Sequence, residues 1–184
     1  YSNFSLDFDG TNDYIDCNNI SALSATQKFS ISYWFNVDSL SNFKRFLGTY
    51  NDTNNWISFN FKDSTGDLQF AVRNGDSSKA TLEVVSSGKV QINNWYNVNV
   101  VYDGSQADNA NRLKVFLNGT QESLTFTGTV ASTTTTLLNS FFINNDGYAT
   151  GGSSKMDEVA IWGSALTQAQ VSQVYNNGYP ADLT

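Results

Sequence analysis

Tyr50-Asn51-Asp52-Thr53-Asn54-Asn55-Trp56 sets an aromatic ring at each end of a run of amides, a carboxylate and a hydroxyl. Asn144-Asn145-Asp146-Gly147-Tyr148 repeats the mixture on a shorter scale. Such groups suit a ligand with apolar faces and a fringe of hydroxyls, because rings stack on the faces while amides and carboxylates bond to the fringe. That describes a sugar. The candidate ligand-binding residues are Tyr50, Asn51, Asp52, Asn54, Asn55, Trp56, Asn144, Asn145, Asp146 and Tyr148. Few cationic groups lie near them along the chain, so a neutral glycan is the expected ligand. A structural reading competes. Asn, Asp and Gly are the ordinary residues of tight turns, and tryptophans fill sandwich cores.

A third stretch, Asp9-Gly10-Thr11-Asn12-Asp13, packs carboxylate, amide, hydroxyl and carbonyl oxygens into one turn. Calcium takes such oxygens, and so does a tight turn that needs no ion. Other chemistry is poorly supplied. The chain has no histidine, which removes imidazole acid–base catalysis and most zinc sites. Cys17 is the single cysteine, so no disulfide forms within the chain. With 10 Lys and Arg against 17 Asp and Glu, the net charge of -7 repels nucleic acid and anionic membrane surfaces. No apolar run is long enough to cross a bilayer as a helix.

The elements that must position these loops are strands. The 184 residues are 40% hydrophobic and 14% aromatic, enough to bury a core. Phe29, Ile31, Tyr33, Phe35 and Val37 alternate with Ser30, Ser32, Trp34 and Asn36 at the strand period. Phe4 to Phe8, Ile57 to Phe61, Leu68 to Val72, Tyr96 to Tyr102 and Leu113 to Leu117 do the same, with turn pairs such as Asp9-Gly10 and Asn118-Gly119 between them. The expected core is Phe8, Phe29, Ile31, Tyr33, Phe35, Ile57, Phe59, Phe70, Val98, Val100, Leu113, Val115, Ile161, Leu166, Val171 and Val174, with Phe116 competing for the inside and Trp34 and Trp95 read as core. One helix is predicted. Thr167 and Gln170 have capping-box spacing, Val171, Val174 and Tyr175 form an apolar stripe, and Gly178 is placed to end it. The fold class is all-β, a sandwich of two antiparallel sheets with one short C-terminal helix.

Several segments resemble laminin G-like domains of the concanavalin A-like lectin/glucanase superfamily. They are Leu6-Asp7-Phe8-Asp9-Gly10-Thr11-Asn12-Asp13-Tyr14-Ile15, Phe29 to Phe35, Trp95 to Gly104, Leu113 to Gly119, and Met156-Asp157-Glu158-Val159-Ala160-Ile161-Trp162 with the helix after it. The resemblance runs in order over nearly the whole chain and implies a concanavalin A-like jelly roll, with residues 1–184 as one domain. It also implies a structural Ca²⁺ near the first loop and the closing strand, whose expected ligands are Asp9, Gly10, Asn12, Asp13 and Asp157, with Glu158 as the neighbour of Asp157. The glucanases of the superfamily carry Glu-x-Asp-x-x-Glu along one strand, and this pattern is absent here. A non-enzymatic role follows: a carbohydrate-binding, lectin-like module of a secreted or surface protein. The alternative is a structural or adhesion module that contacts a surface protein, including one on a virion. Either suits an extracellular, cell-surface or virion location and a place in a larger multidomain assembly, without nucleic acid or membrane insertion.

Overall fold

The computed structural model describes residues 5–40, 44–62, 64–75, 81–84, 89–137, 139–149 and 151–179. The first strands are β1 (Leu6–Asp9), β2 (Ile15–Asp16), β3 (Lys28–Val37), β4 (Arg45–Asp52), β5 (Asn55–Phe61), β6 (Leu68–Arg73) and β7 (Thr81–Val84). After them come β8 (Tyr96–Asp103), helix α1 (Asn109–Arg112), β9 (Leu113–Leu117), β10 (Thr120–Gln121), β11 (Leu124–Thr127), β12 (Phe142–Ile143), β13 (Ser153–Trp162) and helix α2 (Gln168–Tyr175). They build a 6-stranded sheet, β1-β13-β3-β8-β9-β10, and a 7-stranded sheet, β11-β7-β6-β5-β4-β12-β2. The paired strands are antiparallel throughout. This is the expected two-sheet sandwich.

The core lies between the sheets because each strand alternates its apolar phase inward. Phe29, Ile31, Tyr33 and Phe35 of β3 are fully buried, as are Ile57, Phe59 and Phe61 of β5. Aromatic contacts lock the layers: Phe35 and Tyr33 of one sheet lie 4.6 and 5.9 Å from Phe46 of the other, centroid to centroid. Each such side chain contributes about 1.5–3 kcal/mol by leaving water. A register shift after Arg45 brings the consecutive residues Phe46 and Leu47 both into the core, which plain alternation forbids.

The outer face of the 6-stranded sheet carries α2. Its centre, Val171, packs on Val101 of β8 and Phe116 of β9, with Ala165 and Leu166 beside them. Tyr175 stacks on Trp34 at 5.9 Å. Phe116 and its neighbours therefore do not compete: Leu113, Val115 and Leu117 face the other sheet, and Phe116 faces the helix. Trp34 is buried as expected, but beneath α2 rather than between the sheets.

Four core expectations and one helix boundary need correction. Ile161 is half-buried: among the described residues β1 pairs with Ser153 to Met156 and does not flank Ile161. Leu166 and Val174 are half-buried, since a helix this short covers only its central Val171 completely. Trp95 precedes β8 in a loop and is 41% exposed. Helix α2 stops before Gly178, where Asn176 takes the left-handed conformation at φ 46° and accepts the role of C-cap.

Candidate functional site

Adjacent strands β4 and β5 form a hairpin in which Tyr50 stands opposite Trp56. Both belong to the phase that faces away from the core, since Ile57 and Phe59 point inward and Trp56 and Ser58 do not. Arg73 of β6 is the register partner of Trp56 on the next strand. Its Cζ lies 4.9 Å from the Trp56 ring centroid, and its Nη1 donates to the Thr53 carbonyl at 2.8 Å. Trp56 is consequently half-buried beneath a guanidinium.

The loop after β12 folds over this face. Gly48 makes room for it: a Cβ there would stand 2.7 Å from Cβ of Asp146. Asp146 is 2% exposed and Asn144 is 1% exposed, so neither lies open to a ligand. The Asp146 carboxylate pairs with Arg45 Nε at 2.8 Å and accepts from Ser58 Oγ at 3.2 Å, Tyr148 N at 3.0 Å and Ala149 N at 2.9 Å. Asn144 donates to the Asp13 carbonyl at 3.0 Å and accepts from Ser154 Oγ at 3.2 Å. The side-chain Oδ1 of Asn145 accepts the Asp146 and Gly147 amides, each at 2.7 Å. These three polar residues frame the loop and hold Tyr148 out. Tyr148 is 70% exposed, with its ring 4.8 Å from that of Tyr50.

The two loops singled out in the sequence thus meet. Tyr50, Asn54, Trp56, Asp146 and Tyr148 line one open cleft of about 400 Å³, together with Thr53, Arg45 and Arg73. The two arginines overturn the expectation of a site with few cations. Arg73 carried a signal in the sequence, because Leu68, Phe70 and Val72 assign it to the outward phase, but its neighbour depends on a register that the sequence does not state.

The other candidates fall on the opposite side of the hairpin. Asn51, Asp52 and Asn55 line a separate groove of about 460 Å³ with Asn74 and Thr133 to Thr136. There Asn55 Nδ2 donates to Asp52 Oδ2 at 2.9 Å, the Asn54 amide to Asp52 Oδ1 at 2.8 Å, and the Gly75 amide to Asn55 Oδ1 at 2.7 Å. The bonds from Asn55 and Asn54 hold the Asp52 carboxyl below its usual range.

Of the expected calcium ligands, Asp157 lies apart from the Asp9–Asp13 loop. The Asp9–Asp13 loop is closed by its own bonds, from the Asp9 amide to Asp13 Oδ2 at 2.9 Å and from the Thr11 amide to Asp9 Oδ1 at 2.7 Å. Asp9 pairs with Ser153, which puts Asp157 four residues further along β13, about 13 Å away. Asp157 instead sits at a bulge, opposite Trp34, and accepts the Glu158 amide at 2.9 Å. Glu158 has φ 49° there, a left-handed backbone forced by the extra residue. Among the described residues no group of three or more His, Cys, Asp or Glu is gathered as for a metal, and no helix is long and apolar enough to cross a membrane.

The chain is similar to known structures over nearly its full length. It is 19% identical to domain 4 of AbnA, an extracellular arabinanase of Geobacillus stearothermophilus seen with arabinotriose, covering 95% of this chain and 82% of that one at a TM-score of 0.66. It is 19% identical to a heptameric SAP-like pentraxin of Limulus polyphemus, covering 92% and 80% at 0.64. It is 14% identical to the CBM40 of a Ruminococcus gnavus sialidase bound to α2,3-sialyllactose, covering 92% and 98% at 0.61. No curated protein matches the sequence significantly. The family profile described as concanavalin A-like lectin/glucanases superfamily matches residues 9–172. With that match across the two-sheet sandwich, the chain belongs to the concanavalin A-like lectin/glucanases superfamily, as a laminin G-like domain.

Proposed function

We infer that the domain is a non-catalytic, lectin-like module that binds carbohydrate in the cleft between Tyr50, Trp56 and Tyr148. The observation that carries this reading is the meeting of the two aromatic, amide-rich loops on one outward sheet face. Tyr148 offers an exposed plate, backed by Tyr50, and Asn54 and Thr53 offer polar groups beside it. Hydrolysis of a glycosidic bond asks for two carboxyl groups facing each other across the bond. Among the described residues, Asp146 is the carboxylate of this cleft, and its oxygens are committed to Arg45, Ser58 and two amides. Similar domains seen with arabinotriose and with sialyllactose support a sugar as ligand. An extracellular, cell-surface or virion setting goes with this role.

The test is a glycan array, followed by titration of any hit. Affinity is expected to be modest, because an open cleft buries little ligand surface. Tyr148→Ala should weaken binding by about 1–3 kcal/mol, by analogy with stacking on bases, and leave the melting temperature unchanged. The array is run with and without Ca²⁺, because Asp9, Gly10, Asn12 and Asp13 of the first loop, with Asp157, are the expected ligands of the ion. A melting temperature unmoved by chelation removes the ion from the proposal. Absence of binding to every glycan ends the carbohydrate reading and leaves a module that contacts a surface protein.

A further inference from the structure

The cleft holds two guanidinium groups, and among the described residues a carboxylate neutralises only one. Arg45 is answered by Asp146 at 2.8 Å. Arg73 is 9% exposed, and no carboxylate among the described residues pairs with it. Its Nη1 bonds to a neutral carbonyl, that of Thr53, and its Nε is buried without a hydrogen-bond partner. Burial lowers its pKa from the usual value, against a smaller opposing influence of Tyr50, yet arginine keeps its proton in proteins. A fixed, poorly solvated cation thus stands over an aromatic ring at the wall of an open cleft. Such a charge costs stability while unpaired, and a ligand anion recovers part of that cost on binding. A guanidinium matches a carboxylate in shape as well as in sign. The rest of the cleft does not oppose an anion, since Arg45 and Asp146 offset each other and Asp52 faces the other groove.

We propose that the cleft takes a sugar that bears a carboxylate, with the carboxylate on Arg73 and a ring face on Tyr148. The proposal rests on the carbohydrate-binding reading and replaces its neutral ligand with an acidic one. It explains how a chain of net charge -7 accepts an anion: the selection is local, over a distance short compared with the reach of screened surface charge. Two kinds of sugar carry the required group, hexuronates and ulosonates such as N-acetylneuraminate, and each has an uncharged counterpart that serves as control.

The experiment is calorimetric titration of the domain with oligogalacturonate against its methyl ester, and with sialyllactose against lactose. In one pair the acid should bind at least about tenfold more tightly than its uncharged counterpart. That preference should shrink as NaCl rises from about 0.02 M to about 0.5 M. Arg73→Gln should reduce the acid-to-neutral ratio towards one, and Arg73→Lys should retain part of it. The pair that shows the preference identifies the source of the carboxylate. Equal binding of acid and neutral partners overturns the proposal and leaves the carbohydrate reading standing. Binding of neutral glycans on the array with none in either acidic arm does the same. No glycan binding at all overturns both. Should Arg73→Gln fail to fold, the acid and ester titrations of the unmodified protein decide alone.

Discussion

Lys44 is a lysine in a place where a lysine is expensive. Its side chain is 2% exposed, and its Nζ donates to the carbonyls of Ser153 at 2.6 Å and Ser39 at 3.2 Å, with Asp38 Oδ1 at 3.7 Å. Burial lowers its pKa, and the Asp38 charge works against that. Ser153 is also the register partner of Asp9, and a Cβ on Gly10 would stand 2.4 Å from the Ser153 amide. The turn after β3, the start of β4 and the start of β13 therefore meet around one ammonium, and the first loop packs on the far side of Ser153. The Lys44 ammonium ties the turn after β3 to the start of β13. Lys44→Met should cost about 1.5–3 kcal/mol, the worth of hydrogen bonds from a charged donor, read as a lower urea midpoint with an unchanged slope. A shift below about 0.5 kcal/mol would show that the ammonium ties nothing. Nothing local in the sequence marks Lys44 as buried, because its shortest bond is to Ser153, a residue far along the chain.

Helix α2 shows how much of an element is local. The capping box forms as its spacing predicts: the Thr167 side chain accepts from the Gln170 amide, and the Gln170 side chain accepts from the Thr167 amide at 2.9 Å. Capping depends on neighbours a few residues apart, so it is legible without a fold. Thr167→Ala should cost about 0.5–2 kcal/mol, checked by thermal denaturation, and Thr167→Ser should restore most of it. The surface that receives the helix is not local. Trp34, Val101 and Phe116 come from three strands, and only their pairing makes one patch of them. Ser30 completes the join, its Oγ donating to the Ser164 carbonyl at 2.8 Å and accepting the Leu166 amide at 2.9 Å. The β4–β5 hairpin divides in the same manner. Its aromatic and amide residues are adjacent in sequence, yet alternation sends Tyr50 and Trp56 to one groove and Asn51 and Asn55 to another.

For the molecule as a whole, acid is the informative stress. The Asp38 carboxyl is held low chiefly by Ser153, Asp52 by Asn55, and Asp108 by the Asn111 amide. Burial acts to raise Asp103, but bonds from Ser105, Gln106 and Lys28 outweigh it and hold it at about 2. Each of these groups ionises at lower pH folded than unfolded. Their stabilisation is complete above about pH 4, the unfolded range, and is lost as pH falls through the folded values. The urea midpoint should therefore stay level above that range and drop between about pH 4 and pH 2; a level midpoint down to pH 2 would contradict the shifts. By itself the sequence determined the class of fold, most of the inward phase, the capped helix and the two loops that carry aromatic rings with amides. Those follow from alternation, capping and turn chemistry, which act over a few residues. Tertiary structure alone decided that Asp146 and Asn144 are buried in the frame of their loop, that Arg73 stands over Trp56 with no carboxylate partner among the described residues, that Asp157 lies far from Asp9, and that Lys44 joins the turn after β3 to β13. The reason is register: a strand's own pattern says which face a side chain takes, while the strand beside it says what that side chain meets.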